Sequence, residues 1–482
     1  MAEFLKKLES TLGTINGYLS DYILLILLVG VGLFFTIRTR FVQVRCFGQG
    51  LRNIFGKRDK QSKKRKGGMS SFQAFTTAVA AQVGTGNIVG ACLAIIVGGP
   101  GAIFWMWIIA FLGMATIYSE AVLAQKTRIK DADGKISGGP VYYIKTAFKG
   151  KFGKFLAGLF AVAVVICLGF VGTMVQTNAI SKAVASAGGY SYEKWGFIVG
   201  IIIAVVVGII IIGGAKRIAS VTEKIVPIMA IIYIIGGIII LCANITAVPK
   251  AFYYIFKCAF SPQSVLGGAL GTTIQKAITM GAKRGLFSNE AGMGSTPHAH
   301  AQANVKNPHT QGTVAMVGVF IDTFVVLTIT ALIVITSIHV KNPSMLGSVT
   351  ENDMLEKAIA SLFASKNTGT MVAAIFVAVC LTFFAFSTII SWNFFGRINF
   401  EYLFGKKSGI YYSAISLIFV VLGSLLASGL VWNFNDFFNY LMVFPNVIAL
   451  IALSGLVVKE LKENGKKSAV DTPTTPLTGE IK

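Results

Sequence analysis

Acidic residues and histidines are scarce in this chain. Its 482 residues include 20 Asp and Glu and 4 His, against 43 Lys and Arg. His298 and His300 form an H-x-H pair, but no third ligand follows at a recognisable spacing, which argues against a metal site. The histidines are also too few for a membrane cytochrome with several haems, which uses His pairs on facing helices.

Closely spaced cysteine pairs and a nucleotide-binding loop are missing as well. The 6 cysteines fall mostly in apolar runs, so we interpret them as small core residues. No G-x-x-x-x-G-K-[ST] motif occurs, and the stretch from Gly405 to Ser408 lacks its first glycine. ATP is therefore not the expected energy source.

Charged residues are also few, at 13% of the chain, whereas 54% of the residues are hydrophobic and the mean hydropathy is +0.71. A soluble fold of this length could not bury so much apolar surface. Apolar runs of about 20 residues, enough to cross a hydrocarbon core of about 30 Å, recur along the chain. The sequence predicts an all-α integral membrane protein with about 11 transmembrane helices. These spans lie near 20–38, 73–95, 99–125, 155–184, 195–214, 220–243, 266–303, 308–337, 369–393, 410–430 and 435–458.

The net charge of +23 is unevenly distributed. Eleven Lys or Arg and one acid lie in 38–66, and eight Lys or Arg and two acids lie in 126–154, whereas 338–368 holds three of each. This is the positive-inside pattern of a membrane protein rather than the pattern of a nucleic-acid binder. We expect a multi-pass protein of the cell membrane, with its N-terminus outside, its C-terminus in the cytoplasm and the first span retained.

Two predicted spans are interrupted by glycine and polar residues. One reads FTTAVAAQVGTGNIVGACLAII, with Gly84 to Asn87 in its middle, and the other contains GLFSNEAGMGSTP, with Gly292, Gly294 and Pro297. Glycine disfavours a helix by about 1 kcal/mol relative to Ala, and proline by about 3 kcal/mol. Unwound backbone at membrane depth is tolerated only where protein or a water-filled cavity satisfies it, so each break indicates a cavity.

The two breaks lie 208 positions apart, and each opens a block of five spans. Because five is odd, the second block must be inverted, and interrupted helices at matching positions of inverted repeats indicate a transporter's binding site. The alternative is that each G-x-G only allows close helix packing. The predicted organisation is an N-terminal segment with an extra helix (1–38), a basic cytoplasmic loop (39–72), a first repeat (73–243), an extracellular interfacial segment (244–265), a second repeat (266–458) and a disordered cytoplasmic tail (459–482).

Four motifs resemble those of the alanine/glycine:cation symporter family, the sodium:alanine symporters. They are VGTGNIVG, GGPGAIFWMWIIAFLG, GLFSNEAGMGS and FSTIISWNFFGR, and they extend over nearly the whole membrane domain. The resemblance implies a LeuT-type fold of five plus five inverted helices. It also implies sodium coupling and alanine or glycine as substrates, with glutamine in some relatives.

The resemblance assigns a substrate site at the breaks. Thr85 and Gly86 would bind the substrate carboxylate through backbone N–H groups at the positive end of a half-helix. Thr388 and Trp392, four residues apart on one helix face, would form the opposite wall and keep the site small. The predicted substrate-binding residues are Gln82, Thr85, Gly86, Ser288, Glu290, Gly292, Met293, Thr388 and Trp392.

The resemblance also implies two sodium sites, whose oxygen ligands suit a hard cation. By the resemblance, the main site is formed by Ala80, Val83, Ser387 and Thr388. The resemblance suggests Asn87 and Ser288 as ligands of a possible second site, to which we add Asp322. Asp322 lies near the middle of a span, where an ionisable residue suggests a function, and its alternative is a structural hydrogen-bond hub.

Other roles stay open at this point. Glu290 could hold the substrate ammonium, line the ion path or satisfy backbone donors freed by the break. Lys283 and Arg284 could pair with an acid as a gate or line a solvated vestibule.

The predicted function is sodium-coupled symport of a small neutral amino acid across the lipid bilayer. No cofactor besides the sodium ion, no enzymatic activity and no nucleic-acid partner are expected. The alternatives are a glutamine-preferring or proton-coupled symporter of the same fold, a passive channel, and a membrane enzyme or pump subunit.

Overall fold

The chain folds into an assembly of helices in a computed structural model, which describes residues 2–56, 68–130, 136–261, 273–425 and 429–464. The tail from Ser468 onward and the basic stretch 57–66 lie outside these ranges. In the first half the elements are α1 (Ala2–Tyr18), α2 (Leu25–Arg38), α3 (Val42–Arg45), α4 (Phe47–Phe55), α5 (Ser71–Gln82), α6 (Ala91–Gly98), α7 (Gly101–Thr127), β1 (Ile129–Lys130), β2 (Ile136–Ser137), α8 (Pro140–Ala147), α9 (Gly150–Val164), α10 (Gly172–Gly188), α11 (Tyr192–Ile212) and α12 (Gly214–Ala243).

The second half begins with α13, Val248–Phe260, which lies within the predicted interfacial segment 244–265, and residues 262–265 of that segment lie outside the described ranges. The helices that follow are α14 (Ile274–Asn289), α15 (Pro297–Ala301), α16 (Pro308–Val319), α17 (Thr328–Val334), α18 (Met354–Ala360), α19 (Lys366–Phe404), α20 (Gly409–Gly423), α21 (Gly429–Ala452) and α22 (Ser454–Asn464). Short π-helical stretches join α1 to α2, α9 to α10 and α16 to α17. Two others are Gly86–Gly90, which precedes α6, and Ile335–Lys341, which follows α17.

Within the described ranges, 8 helices are long and apolar enough to cross a membrane, and a bent pair brings the number to 9. The predicted count of eleven is not confirmed. The predicted span 266–303 contains a break after the 16-residue α14, and the span 410–430 corresponds to the 15-residue α20. At about 1.5 Å per residue, either helix alone is shorter than the hydrocarbon core.

The outer surface of the bundle is apolar. On α11 the side chains of Ile202, Val205, Ile209 and Ile212 are 57%, 57%, 58% and 80% exposed, at spacings that place them on one helix face. The interior holds buried polar side chains, including Gln82, Glu120, Glu290 and Asp322. This arrangement is typical of a membrane protein, because polar groups in the hydrocarbon region can find hydrogen-bond partners only in the protein interior.

The first break has a defined local cause. Helix α5 starts with a capping box in which Ser70 and Gln73 each bind the other's backbone N–H. The helix ends at Val83, whose φ of −81° and ψ of 90° are not helical. The Asn87 side chain accepts the N–H of Gly84 at 2.9 Å and so satisfies a donor that the break frees. The two half-helices meet at a bend of 48°.

The second break is longer, and several of its residues adopt left-handed backbone conformations. Helix α14 ends at Glu290, whose φ is 57°, and Gly292 and Gly294 follow with φ of 93° and 81°. Glycine adopts such angles without the steric cost that other residues meet. Pro297 then occupies the first turn of α15, where its missing N–H leaves no hydrogen bond unmade.

Some local structure was not predicted from the sequence. The basic loop contains α3 and α4, and the loop after α7 contains an antiparallel pair in which Ile129 faces Ser137. Residues 459–464, predicted as the start of the disordered tail, are helical because α22 continues to Asn464.

Candidate functional site

The two breaks are in contact at Gly86. A Cβ atom added to this glycine would lie 3.0 Å from the Cα atom of Ser288 and 3.2 Å from the Phe287 ring. The absence of a side chain therefore lets the start of the second half-helix pack on the end of α14. Polar groups from both breaks lie around this contact.

The four residues predicted for the main sodium site lie together between α5 and α19. Thr388 Oγ1 lies 2.9 Å from the carbonyl oxygen of Ala80 and 3.4 Å from that of Val83. Ser387 Oγ lies 3.5 Å from the same Ala80 oxygen. The Phe384 carbonyl one turn back in α19 is an alternative acceptor for both hydroxyls, at 2.9 Å from Ser387 Oγ and 3.0 Å from Thr388 Oγ1. The result is a buried group of oxygen atoms of the kind that hard cations bind.

The residues predicted for the second site are also brought together. Asn87 donates its side-chain amide to Asp322 Oδ1 at 2.6 Å. Ser288 Oγ lies 3.1 and 3.0 Å from the two carboxylate oxygens of Asp322, and Thr323 donates to Oδ2 at 2.8 Å. Asp322 is completely buried, and the side chains that donate to its carboxylate, those of Asn87, Ser288 and Thr323, are neutral. Through these hydrogen bonds the Asp322 carboxylate connects Asn87 of the first break and Ser288 near the second to the π-helical stretch that follows α16.

The backbone at the first break is held by a residue that the sequence reasoning missed. Gln176 of α10 accepts the N–H of Thr85 through Oε1 at 3.2 Å. A Cβ atom on Gly84 would lie 3.3 Å from this same oxygen and 2.6 Å from Thr388 Oγ1. An amide side chain inside a predicted span, where polar groups need interior partners, is the sequence signal that could have pointed to Gln176.

Two buried oxygen atoms beside this break have no hydrogen-bond partner among the described residues. They are Gln82 Oε1 and Thr85 Oγ1, and both residues are 2% exposed or less. Gln82 uses its amide nitrogen to bridge to the second break, donating to the Asn289 carbonyl at 2.8 Å. Buried polar atoms are usually paired in a folded protein, and these two oxygens are free to accept hydrogen bonds from a bound polar group.

Glu290 and Trp392 form a direct contact between the second break and α19. The Trp392 indole donates to Glu290 Oε1 at 2.5 Å, and Ser295 donates to Oε2 at 2.5 Å. A Cβ atom on Gly172 would lie 2.6 Å from the Trp392 ring, so the indole is fixed from the other side by close packing. Glu290 therefore helps to fix the position of the Trp392 indole.

Gly292 and Met293, also predicted as substrate-binding, lie deeper in the second break. Met293 is 1% exposed. A Cβ atom on Gly292 would lie 3.2 Å from Leu28 and 3.7 Å from Thr116, so this glycine packs against α2 and α7.

Glu120 of α7 stabilises the second break and was missed in the sequence. Its carboxylate accepts the N–H of Gly292 at 3.3 Å, the N–H of Gly294 at 3.0 Å and the amide of Asn446 at 2.6 Å. Tyr143 in turn donates to Asn446. A single acid inside an apolar span was the available signal, because such a residue needs buried donors.

Lys283 and Arg284 pair with Asp436 of α21. The Lys283 ammonium and an Arg284 nitrogen both lie 3.1 Å from Asp436 Oδ2, and all three side chains are largely buried. Arg284 also stacks over Trp432 at 5.3 Å, and Lys283 over Tyr440 at 5.7 Å. The sequence left open whether these two cations pair with an acid or line a solvated vestibule, and the structure contains the ion pair.

One protein-family model covers nearly the whole chain. The model of the sodium:alanine symporter family matches residues 5–475. The chain belongs to this family. Family members are transporters rather than enzymes, and sodium is their coupling ion, so the resemblance seen in the four sequence motifs is confirmed.

The sequences of relatives align with this symporter over nearly its full length. The sodium/alanine symporter AgcS of Methanococcus maripaludis is 40% identical over 94% of this chain and 96% of its own length. The probable sodium/glutamine symporter GlnT of Bacillus subtilis is 38% identical over 95% of this chain and 90% of its own length. Sodium and a neutral amino acid appear in both names.

The fold of this symporter is also found among solved structures. The crystal structure of MhsT in complex with L-phenylalanine superposes with a TM-score of 0.54 at 15% identity, covering 84% of this chain and 92% of that chain. At this identity the likeness concerns the fold, and it confirms the predicted LeuT-type architecture.

Proposed function

We propose that this chain uses the inward sodium gradient to take up a small neutral amino acid, alanine or glycine, by alternating access. The observation that carries the proposal is the first break, where a group of buried oxygens adjoins two buried polar atoms that have no partner in the described chain. A cation and a polar ligand at adjacent positions can stabilise one another, which is the thermodynamic basis of coupling.

For sodium, we propose that the main site uses the carbonyls of Ala80 and Val83 with the hydroxyls of Ser387 and Thr388. Each hydroxyl now donates to a carbonyl, and rotation of the O–H would turn its lone pairs toward an ion instead. The ion would join α5 to α19, so occupancy would favour the conformation in which these two helices are close. The distances of 2.9 to 3.5 Å between these groups support the assignment.

The second site is proposed at Asn87, Ser288 and Asp322. A carboxylate that accepts hydrogen bonds only from neutral groups at membrane depth is costly, and a monovalent cation beside it would lower that cost. Both breaks contribute to this group, so the second ion would stabilise the contact between the proposed repeats. Asp322 would be the single charged ligand.

The substrate carboxylate is proposed to bind the N–H groups of Thr85 and Gly86. The first N–H groups of a helix have no partner inside the helix, and the helix dipole favours an anion there. Gln176 now occupies the N–H of Thr85 at 3.2 Å and would exchange this contact for one with the substrate. The unpartnered oxygens of Gln82 and Thr85 supply acceptors, and Trp392, held by Glu290, limits the size of the substrate.

The topology and repeat boundaries are part of the proposal. The repeats 73–243 and 266–458 would have opposite orientations, with the N-terminus outside and the C-terminus in the cytoplasm. The positive charge of the loops at 38–66 and 126–154 supports this orientation.

Uptake of labelled alanine into proteoliposomes tests the proposal. With an inward sodium gradient, alanine should accumulate above its external concentration, and with equal sodium on both sides it should only equilibrate. Unlabelled glycine should compete better than glutamine, and the reverse order would favour the glutamine-preferring alternative. Accumulation driven by a pH gradient without sodium would show proton coupling, and equilibration under every gradient would show a channel.

A further inference from the structure

A basic pocket lies where α2 ends, away from the proposed transport site. It has a volume of about 340 Å³ and is bounded by the end of α2, the start of the following loop and the last turns of α22. Its lining residues are Arg38, Thr39, Arg40, Arg45, Val458, Leu461 and Lys462.

The charge of the pocket has one sign. Four of its lining residues are Lys or Arg, and none of those identified in the described chain is acidic. Arg45 donates to the backbone carbonyl of Arg40 at 3.2 Å, which holds the Arg45 guanidinium beside the backbone of Arg40. Clustered cations repel one another unless an anion lies between them, so the pocket is suited to a multivalent oxyanion.

The backbone around the pocket is strained. Arg40 and Phe41 are consecutive non-glycine residues in the left-handed region, with φ of 54° and 56°. Such conformations cost free energy and persist where the surroundings enforce them, as at ligand-binding sites. Here Thr39 donates its hydroxyl to the Phe35 carbonyl at 2.5 Å, and the Phe41 N–H donates to the Thr36 carbonyl at 2.7 Å. The reversal turns Arg40 back toward Arg45.

An exposed apolar surface leads to the pocket. Leu33 and Ile37, four residues apart on α2, are 44% and 67% exposed, and Phe41 and Val44 are 50% and 60% exposed. These side chains continue the outer apolar surface of the bundle up to the level of the arginines. A phosphate with attached acyl chains fits this combination better than a free ion does, because the chains would cover the apolar side chains while the cations bind the headgroup.

We propose that this pocket binds the phosphate headgroup of an anionic membrane lipid. The headgroup lies among Arg38, Arg40, Arg45 and Lys462, and its acyl chains run along Leu33 and Ile37. Because α2 and α22 both contribute residues, the bound lipid ties the extra N-terminal helix to the last helix of the described chain.

Native mass spectrometry of the full chain tests this site, with phosphatidylglycerol as the anionic probe and phosphatidylcholine as the zwitterionic one. The double variant R40Q/R45Q removes two pocket charges. Its matched control is K151Q/K154Q, which removes two exposed charges from the start of α9. Because loss of Arg45 also removes a contact to the backbone of Arg40, K462Q serves as a second pocket variant on the opposite wall.

The wild type should retain phosphatidylglycerol in preference to phosphatidylcholine. Binding should weaken roughly five-fold in K462Q and about thirty-fold in R40Q/R45Q, with the control unchanged. Equal retention of the two lipids, or equal losses in pocket variants and control, would overturn the proposal. Displacement of phosphatidylglycerol by millimolar inorganic phosphate would show a free-phosphate site and overturn it as well.

Discussion

The hydroxyl of Thr388 lies 2.9 Å from the carbonyl oxygen of Ala80, across the gap between α19 and α5. This contact links the end of a half-helix, whose last carbonyls have no partner within the helix, to a helix from the other proposed repeat. An ion at this position would fasten the two helices together, and its release would let them separate. The coupling mechanism proposed here depends on this pair.

Replacement of Thr388 by Ala should weaken sodium activation of alanine uptake. Loss of one oxygen from a buried cation should cost about 1–3 kcal/mol, which is about 5-fold to 150-fold in sodium affinity. The matched control is Thr382→Ala, because Thr382 is half-buried on the same helix and has no assigned ligand role. Unchanged sodium dependence in the Thr388 variant would remove this residue from the ion site.

A smaller residue at position 392 should broaden the substrate range. In Trp392→Leu, competition by glutamine should rise relative to competition by glycine by roughly tenfold, because the wall of the proposed pocket recedes. Trp392→Phe removes the indole donor to Glu290 but keeps most of the ring volume, so it separates the loss of the hydrogen bond from the change in size. If both variants keep the wild-type order of competition, Trp392 does not limit substrate size.

Loss of the Asp436 charge should destabilise the protein strongly. In Asp436→Asn, Lys283 and Arg284 keep their charges in a buried place without a counter-ion, and the expected loss in unfolding free energy is about 3–5 kcal/mol. The control is Asp353→Asn, which breaks the exposed pair with Lys357 and should cost less than about 1 kcal/mol. Denaturant unfolding of the purified variants compares them, and equal losses would show that the buried cations do not depend on Asp436.

Cysteine labelling should reveal the orientation of the chain. Cys242 is the exposed native cysteine and the other five are buried, so Cys242→Ala gives a background of low reactivity. In intact cells an impermeant thiol reagent should label Ser348→Cys and leave Lys407→Cys unlabelled, since the positive-inside pattern places residue 407 in the cytoplasm. Labelling of Lys407→Cys alone would show the inverted topology.

Both breaks could be predicted because their causes are local. Glycine, proline and polar residues interrupt a helix within an apolar span. The observed interruptions begin at Val83 and Glu290, in agreement with the predicted breaks. The residues of the two proposed sodium sites were predicted from the family resemblance, and the structure brings the members of each set together. The number of spans was harder to predict, because α14 and α20 are shorter than hydropathy alone suggested.

Glu120 and Gln176 could not be assigned roles from the sequence, because their functions depend on distant parts of the chain. Glu120 accepts hydrogen bonds from glycines more than 170 positions away, and Gln176 binds the backbone 91 positions before it. Neither residue belongs to a local motif. A sequence pattern specifies which residues share a helix face, whereas these contacts require the packing of helices that are not neighbours in sequence.

The most direct test of the central claim is equilibrium binding of alanine to Gly86→Val at saturating sodium. A valine side chain would occupy the contact with Ser288, where even a Cβ atom lies at 3.0 Å, and would crowd the proposed carboxylate position. The control is Gly158→Val, because a Cβ atom at Gly158 meets nothing within 4 Å. We predict that both variants insert and fold, that the control unfolds and binds alanine like the wild type, and that Gly86→Val, although less stable because of the contact with Ser288, shows no measurable binding. A folded Gly86→Val protein that binds alanine with unchanged affinity would contradict the account.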